Sequence, residues 1–97
     1  MLRISIEQTT VAVTFILEGR IAGLWAEELS RSWADLTPPL GKRKLLLDLR
    51  NATYADGPGI GVLRDMYSHA ETELLTSTPW TKYLAEKVMR EDAVRAN

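Results

Sequence analysis

Three glycines at alternate positions, Gly57, Gly59 and Gly61, stand in the stretch YADGPGIGVLRD (residues 54–65), between a strand-like run and a helix-like one. A glycine-rich loop that opens a helix can cradle phosphate with its backbone N–H groups. A dinucleotide fingerprint, however, needs G-x-G-x-x-G directly after its strand. The spacing here is G-x-G-x-G, and RNATYAD separates Leu49 from Gly57. A Walker A loop would end in G-K-[ST], where this chain has Ile60, Gly61 and Val62. Pro58 has no N–H, so one of about four free donors of a first helical turn is missing. Asp56 puts an acid at the positive end of the helix dipole and can cap the N–H groups itself. The stretch reads as a self-capped helix start with glycines for close backbone approach, and no cofactor is expected.

Asp48 and Asp56 raise the chemistry of a carboxylate pair. Asp48 falls near the end of a central strand, where a receiver domain places its phospho-accepting aspartate, but no acidic pair follows the first strand to hold magnesium. Nothing sets a nucleophile or an oxyanion donor beside the two acids, so acid–base catalysis lacks its partners. His69, the only histidine, lies off the apolar stripe of its helix and reads as an exposed residue. With no cysteine there is no thiolate chemistry, disulfide or cysteine-based zinc site. Neither catalytic residues nor metal ligands are expected, and the chain is not read as an enzyme.

The elements that would position these residues follow from periodicity. Leu2, Ile4 and Ile6 alternate with Arg3, Ser5 and Glu7, a strand with its aliphatics on one face. Thr9 and Thr10 suit a turn, and Val13, Phe15 and Leu17 continue the alternation, so the chain opens on a hairpin that ends near Gly19. Ala22, Trp25, Leu29, Trp33 and Leu36 are spaced as one stripe of an amphipathic helix, on which Glu27 can pair with Arg31. TPPLG stops that helix. LLLDL (residues 45–49) fits a central strand covered on both faces. A second stripe runs through Ile60, Leu63, Met66 or Tyr67, and Ala70. LLTST reads as a short fourth strand, and Trp80, Leu84 and Val88 mark a last helix with Thr78 as N-cap and Pro79 at its first position. Trp25, Trp33 and Trp80 all lie on apolar stripes and are expected in the core. The order is β-β-α-β-α-β-α, a mixed sheet of about four strands with an N-terminal hairpin and about three helices.

The 97 residues suit one domain, residues 1–97, with residues 91–97 expected to fray. Apolar residues at 45% and charged residues at 26% exclude a disordered or fibrous class. A net charge of -1 and no basic cluster beyond Lys42, Arg43 and Lys44 argue against nucleic acid. The longest apolar run, VAVTFIL, is far short of a membrane span, and MLRISIEQ lacks the features of a signal peptide. A cytoplasmic module is the expectation.

With the motifs in place, the string DLRNATYADGPGIGVL, preceded by LEGR and by AGLWAEELSRSWADL, resembles the STAS domain over roughly residues 2–90. This is the fold of bacterial anti-sigma factor antagonists and of the cytoplasmic tails of sulfate transporters. Asp48, Leu49, Asp56, Gly59, Gly61, Val62 and Leu63 match the family's D-L-x-x-V-x-x-x-D-S-S-G-L-G-V-L, with Ile60 a conservative replacement. The resemblance implies an α/β, STAS-like fold and a non-enzymatic regulator of transcription that binds an anti-sigma factor, commonly a serine kinase. It implies a partner surface at Asp56, Gly57, Pro58, Gly59 and Ile60. In that family the kinase phosphorylates the serine after the aspartate and so turns binding off. Here Gly57 takes the place of the acceptor and Pro58 that of its neighbour, so no phosphorylation is expected at either.

Two other readings accompany this one. A small-ligand, nucleotide or lipid binder would use a pocket lined by Trp25, Trp33 or Tyr54, with at least one tryptophan off the core. A self-associating subunit would form a homodimer through an exposed edge strand or the Trp80 helix.

Overall fold

Alternating aliphatics build the opening hairpin as expected. β1 (Leu2–Gln8) runs antiparallel to β2 (Ala12–Ile21), with Leu2 opposite Gly19 and Gln8 opposite Val13. Thr9 makes the turn: its N–H donates to the Ala12 carbonyl at 2.8 Å, and its Oγ1 accepts from the N–H groups of Val11 and Ala12. The computed structural model describes residues 1–69 and 71–89. Residues 90–97, including the tail expected to fray, and Ala70 lie outside the described residues.

α1 (Leu24–Leu40) is followed by β3 (Lys44–Ala55), α2 (Gly57–His69), β4 (Thr72–Leu75) and α3 (Pro79–Met89). Among the described residues these give one four-stranded sheet in the order β1-β2-β3-β4, with β2, β3 and β4 parallel. The fold is the α/β, mixed-sheet arrangement read from the sequence. Its core joins Val13, Phe15 and Leu17 of β2 and Leu45, Leu47 and Leu49 of β3 to Leu29 and Trp33 of α1, Leu63 and Met66 of α2, and Leu84 and Val88 of α3. Phe15 meets Trp33 edge-on, ring centroids 6.2 Å apart.

The first helix runs beyond its expected end. α1 takes in the TPPL segment, with Pro38 and Pro39 in its last turn, because continuing the stripe from Leu36 to Leu40 buries Leu40. Burying a leucine is worth about 2 kcal/mol. The N–H groups the prolines lack would have met the carbonyls of Ala34 and Asp35, both exposed positions where water can serve. Arg43 closes the end: its N–H and Nε donate to the Leu40 carbonyl and its Nη2 to the Pro39 carbonyl at 2.8 Å. Gly41, at φ 63°, makes the turn.

Trp25 is the second correction. Ala26, not Trp25, carries the buried stripe toward Leu29, and Trp25 stands 39% exposed at the start of α1, whereas Trp33 is buried and Trp80 is partly buried against the core. Arg31 bonds Glu28 at 3.0 Å rather than Glu27. The last helix starts as read: Thr78 Oγ1 accepts from the Thr81 N–H, with Pro79 at the first position.

Candidate functional site

β3 is twelve residues long, more than twice the length of the LLLDL run, and the extension changes what precedes the glycines. Arg50, Asn51, Thr53 and Tyr54 are polar and exposed, so they carry no apolar run, yet they stay in the sheet beside the end of β2. Glu18 pairs with Asn51, Gly19 with Ala52, Arg20 with Tyr54 and Ile21 with Ala55, with register shifts between Ile16 and Glu18 and between Gly19 and Arg20. The strand therefore runs to Ala55, and Asp56 alone separates it from α2. The seven-residue gap weighed against a nucleotide loop does not exist as a loop. The mismatched spacing, the missing N–H of Pro58 and the position of Asp56 still weigh against one.

Asp56 joins three elements. Its Oδ2 accepts from the Gly23 N–H at 2.9 Å, just before α1, and its Oδ1 from the Gly59 N–H at 2.8 Å, in the first turn of α2. Its own N–H donates to the Ile21 carbonyl at the end of β2. The Gly23 N–H, then the Gly59 N–H, hold its carboxyl below the usual aspartate range, with the Arg20 charge adding to them against partial desolvation. The oxygens of Asp56 are thus spent on the fold, and the positive end of α2 is already occupied by this carboxylate.

Gly59 is fixed by contact. It is buried, and a Cβ there would collide with the Ile21 carbonyl oxygen. Close approach of α2 to the end of β2 is the reason for this glycine. Gly57 and Gly61 are different: both are exposed, and a Cβ at either would meet nothing within 4 Å. Ile60 is half-buried and packs against the core. Of the five residues taken from the sequence as a partner surface, Gly57 and Pro58 face solvent, while Asp56, Gly59 and Ile60 serve mainly to place them.

Other exposed residues lie at this end of the sheet, among them Trp25, which the sequence reading put in the core. The Gly23–Asp56 bond sets the start of α1 against the start of α2, bringing Leu24 (79% exposed) and Trp25 to this end of the sheet. Tyr54 is 42% exposed, with the Arg20 guanidinium 4.4 Å from its ring centroid. The stripe pattern hid Trp25, since either it or Ala26 could continue the period, and no local signal foretold the Gly23–Asp56 bond.

The other acid is separate. Asp48 is buried on β3 and takes Arg50 in a bidentate grip, Nη2 to Oδ2 at 2.8 Å and Nε to Oδ1 at 3.0 Å, with the Arg50 N–H also on Oδ1. The Arg50 side chain is the main cause that lowers the Asp48 carboxyl below its ordinary range, opposed by desolvation. Asp48 and Asp56 stand toward opposite ends of the second half of β3, beside Ile16 and just past Ile21 of β2, and no shared chemistry joins them. Among the described residues no cluster of three or more His, Asp or Glu is placed to hold a metal. His69 is exposed as expected, with Nδ1 2.8 Å from the Asp65 carbonyl oxygen. A groove of about 420 Å³ lies between β4 and α3 and another of about 240 Å³ beside Ile6; neither is lined by Trp25, Trp33 or Tyr54. No helix among the described residues is long and apolar enough to cross a membrane.

No protein-family model matches the chain, and no curated protein matches it in sequence. Solved structures do match in shape. An anti-sigma factor antagonist from Mycobacterium paratuberculosis superposes with a TM-score of 0.76 at 15% identity, over 99% of this chain and 93% of that one. The anti-sigma factor antagonist SpoIIAA in its unphosphorylated form gives 0.70 at 15% identity, over 97% of this chain and 96% of that one. Mglu gives 0.58 at 20% identity, with 77% of this chain on 19% of that one. Identities this low speak for the fold alone. Over nearly its whole length, the chain has the SpoIIAA-like STAS fold of anti-sigma factor antagonists.

Proposed function

We propose that this chain is a non-enzymatic regulatory domain that binds a protein partner through the exposed turn at Gly57 and Pro58, beside Leu24 and Trp25 at the start of α1. The observation that carries the reading is the division of the turn. Asp56 and Gly59 are consumed by the fold, and what they hold outward is Gly57 and Pro58, beside the exposed Leu24 and Trp25 that follow the Gly23 N–H bound by Asp56. Aromatic anchors of this kind are what protein interfaces concentrate. The partner expected is an anti-sigma factor or a related regulatory protein, by analogy with the antagonists that share the fold.

In this reading the surface cannot be turned off by serine phosphorylation at its centre. Gly57 and Pro58 carry no hydroxyl, so the roughly two negative charges of a phosphate cannot be added there. Affinity capture from lysate of the source organism tests the proposal, using wild type beside Pro58→Glu and Trp25→Ala. Recovery of an identified anti-sigma factor by wild type and its loss with both variants supports the reading; equal recovery by all three removes this surface from it. Asp56→Arg is unsuited to the test, because it would unpick both helix starts.

A further inference from the structure

We propose that β1 is a self-pairing edge, joining two copies of this chain into one continuous sheet about a twofold axis at Ser5. β1 is seven residues long, carries no proline and runs without a register shift against β2, and among the described residues no strand lies on its outer side. Long, regular edges are normally blunted by bulges, prolines or inward-pointing charges. The opposite edge, β4, is only four residues long.

The backbone of β1 divides by parity. The Arg20 N–H donates to the Met1 carbonyl at 3.0 Å and the Thr9 N–H to the Ala12 carbonyl at 2.8 Å, and both pairs continue the β1–β2 register. Hydrogen-bonded pairs alternate along an antiparallel ladder. Arg3, Ser5 and Glu7 therefore turn their main-chain groups toward β2, and Leu2, Ile4, Ile6 and Gln8 turn theirs outward. A second copy can pair antiparallel only if even residues meet even residues. A twofold axis at Ser5 satisfies this over the full strand, setting Leu2 opposite Gln8 of the second copy, Ile4 opposite its Ile6 and Arg3 opposite its Glu7.

The side chains agree with this register. Arg3 and Glu7 lie symmetrically about Ser5 with opposite charges, so pairing makes two Arg–Glu contacts where like charges would have forbidden it. They fall at the non-hydrogen-bonded positions, where facing side chains are closest. The contact of Arg3 with Glu18 is 3.9 Å long and exposed, and competes little. On the other face Ile6, 40% exposed beside the groove it shares with Leu36, gains Ile4 of the second copy. The interface is isologous, and it is independent of the partner surface at Gly57.

Sedimentation equilibrium of the full chain, from roughly 10 μM to 1 mM to suit a small interface, tests this. Wild type should move from monomer to dimer over that range. Ile6→Pro removes an outward N–H that the hairpin does not use, so it should abolish dimerisation while circular dichroism stays unchanged. Arg3→Glu and Glu7→Arg should each weaken dimerisation by about tenfold or more. The double exchange should restore it, and the two single variants mixed should form a heterodimer. A monomer throughout the range, or a dimer indifferent to Ile6→Pro and to the charge reversals, overturns the proposal.

Discussion

Gly59 and Gly61 are two residues apart in one helix, yet their surroundings are opposite. Gly59 is pressed against the end of β2 with no room for a methyl group, whereas Gly61 faces open space, as does Gly57. The same division separates Asp56, whose oxygens hold the starts of two helices, from Pro58, which stands exposed. The first turn of α2 thus has a closed side that builds the fold and an open side that the fold does not need. A glycine motif read as a unit hides this, because identical residues are kept for different physical reasons.

Gly59→Ala should cost the most stability. The added methyl meets a backbone carbonyl, not the movable end of a side chain, so α2 must shift away from β2. Overpacking of this kind costs typically up to about 3 kcal/mol, which exceeds the roughly 1 kcal/mol alanine gains in helix propensity. Urea unfolding should show a lower midpoint. Gly61→Ala, on the open side, should raise the midpoint through a gain of up to about 1 kcal/mol in unfolding free energy. Equal effects from the two would dissolve the division.

Asp56→Asn sharpens the same contrast through pH. Asp48 and Asp56 both have carboxyls lowered in the folded state, by Arg50 in one case and mainly by the Gly23 and Gly59 N–H groups in the other. The unfolded chain, with aspartates near about 3.9, then binds more protons than the folded one in acid. The stabilisation is complete above that value and is lost as pH falls through the lowered folded values. Melting temperature should be flat in these groups from neutral pH to about 5 and fall steeply below about 4. Asp56→Asn should lower the neutral-pH melting temperature and flatten part of the acid slope, leaving the part that belongs to Asp48. An unchanged slope would remove Asp56 from the account.

Much of this was legible in the sequence, and the failures share a cause. The hairpin, the stripes of α2 and α3, the Thr78 cap and the Asp56 cap were readable because each rests on local periodicity or on neighbours within one helical turn. The second half of β3 was not, since its residues are polar and exposed and are held in the sheet by pairing with β2, a partner some thirty residues away in sequence. The extension of α1 through two prolines depended on a buried place for Leu40. Trp25 stands outside the core because the stripe permits Trp25 or Ala26, and only packing chooses Ala26. The site was legible as a position, while its division into buried support and exposed surface needed the Gly23–Asp56 bond.

Pro58→Glu has the smallest expected effect on stability and separates fold from function most cleanly. Pro58 is exposed at the second position of α2, and it makes none of the hydrogen bonds that hold the turn. A glutamate there regains an N–H and places a negative charge in the first turn, where the helix dipole favours it. The unfolding free energy should stay within about 0.5 kcal/mol of wild type. Partner recovery should nevertheless fall, because the charge enters the exposed end of the turn near Leu24 and Trp25, whose burial against a partner would desolvate it. Stability unchanged with binding lost would tie the open side of the turn to recognition. Stability lost together with binding would mean that Pro58 belongs to the closed side after all, and the boundary drawn through this turn would have to move.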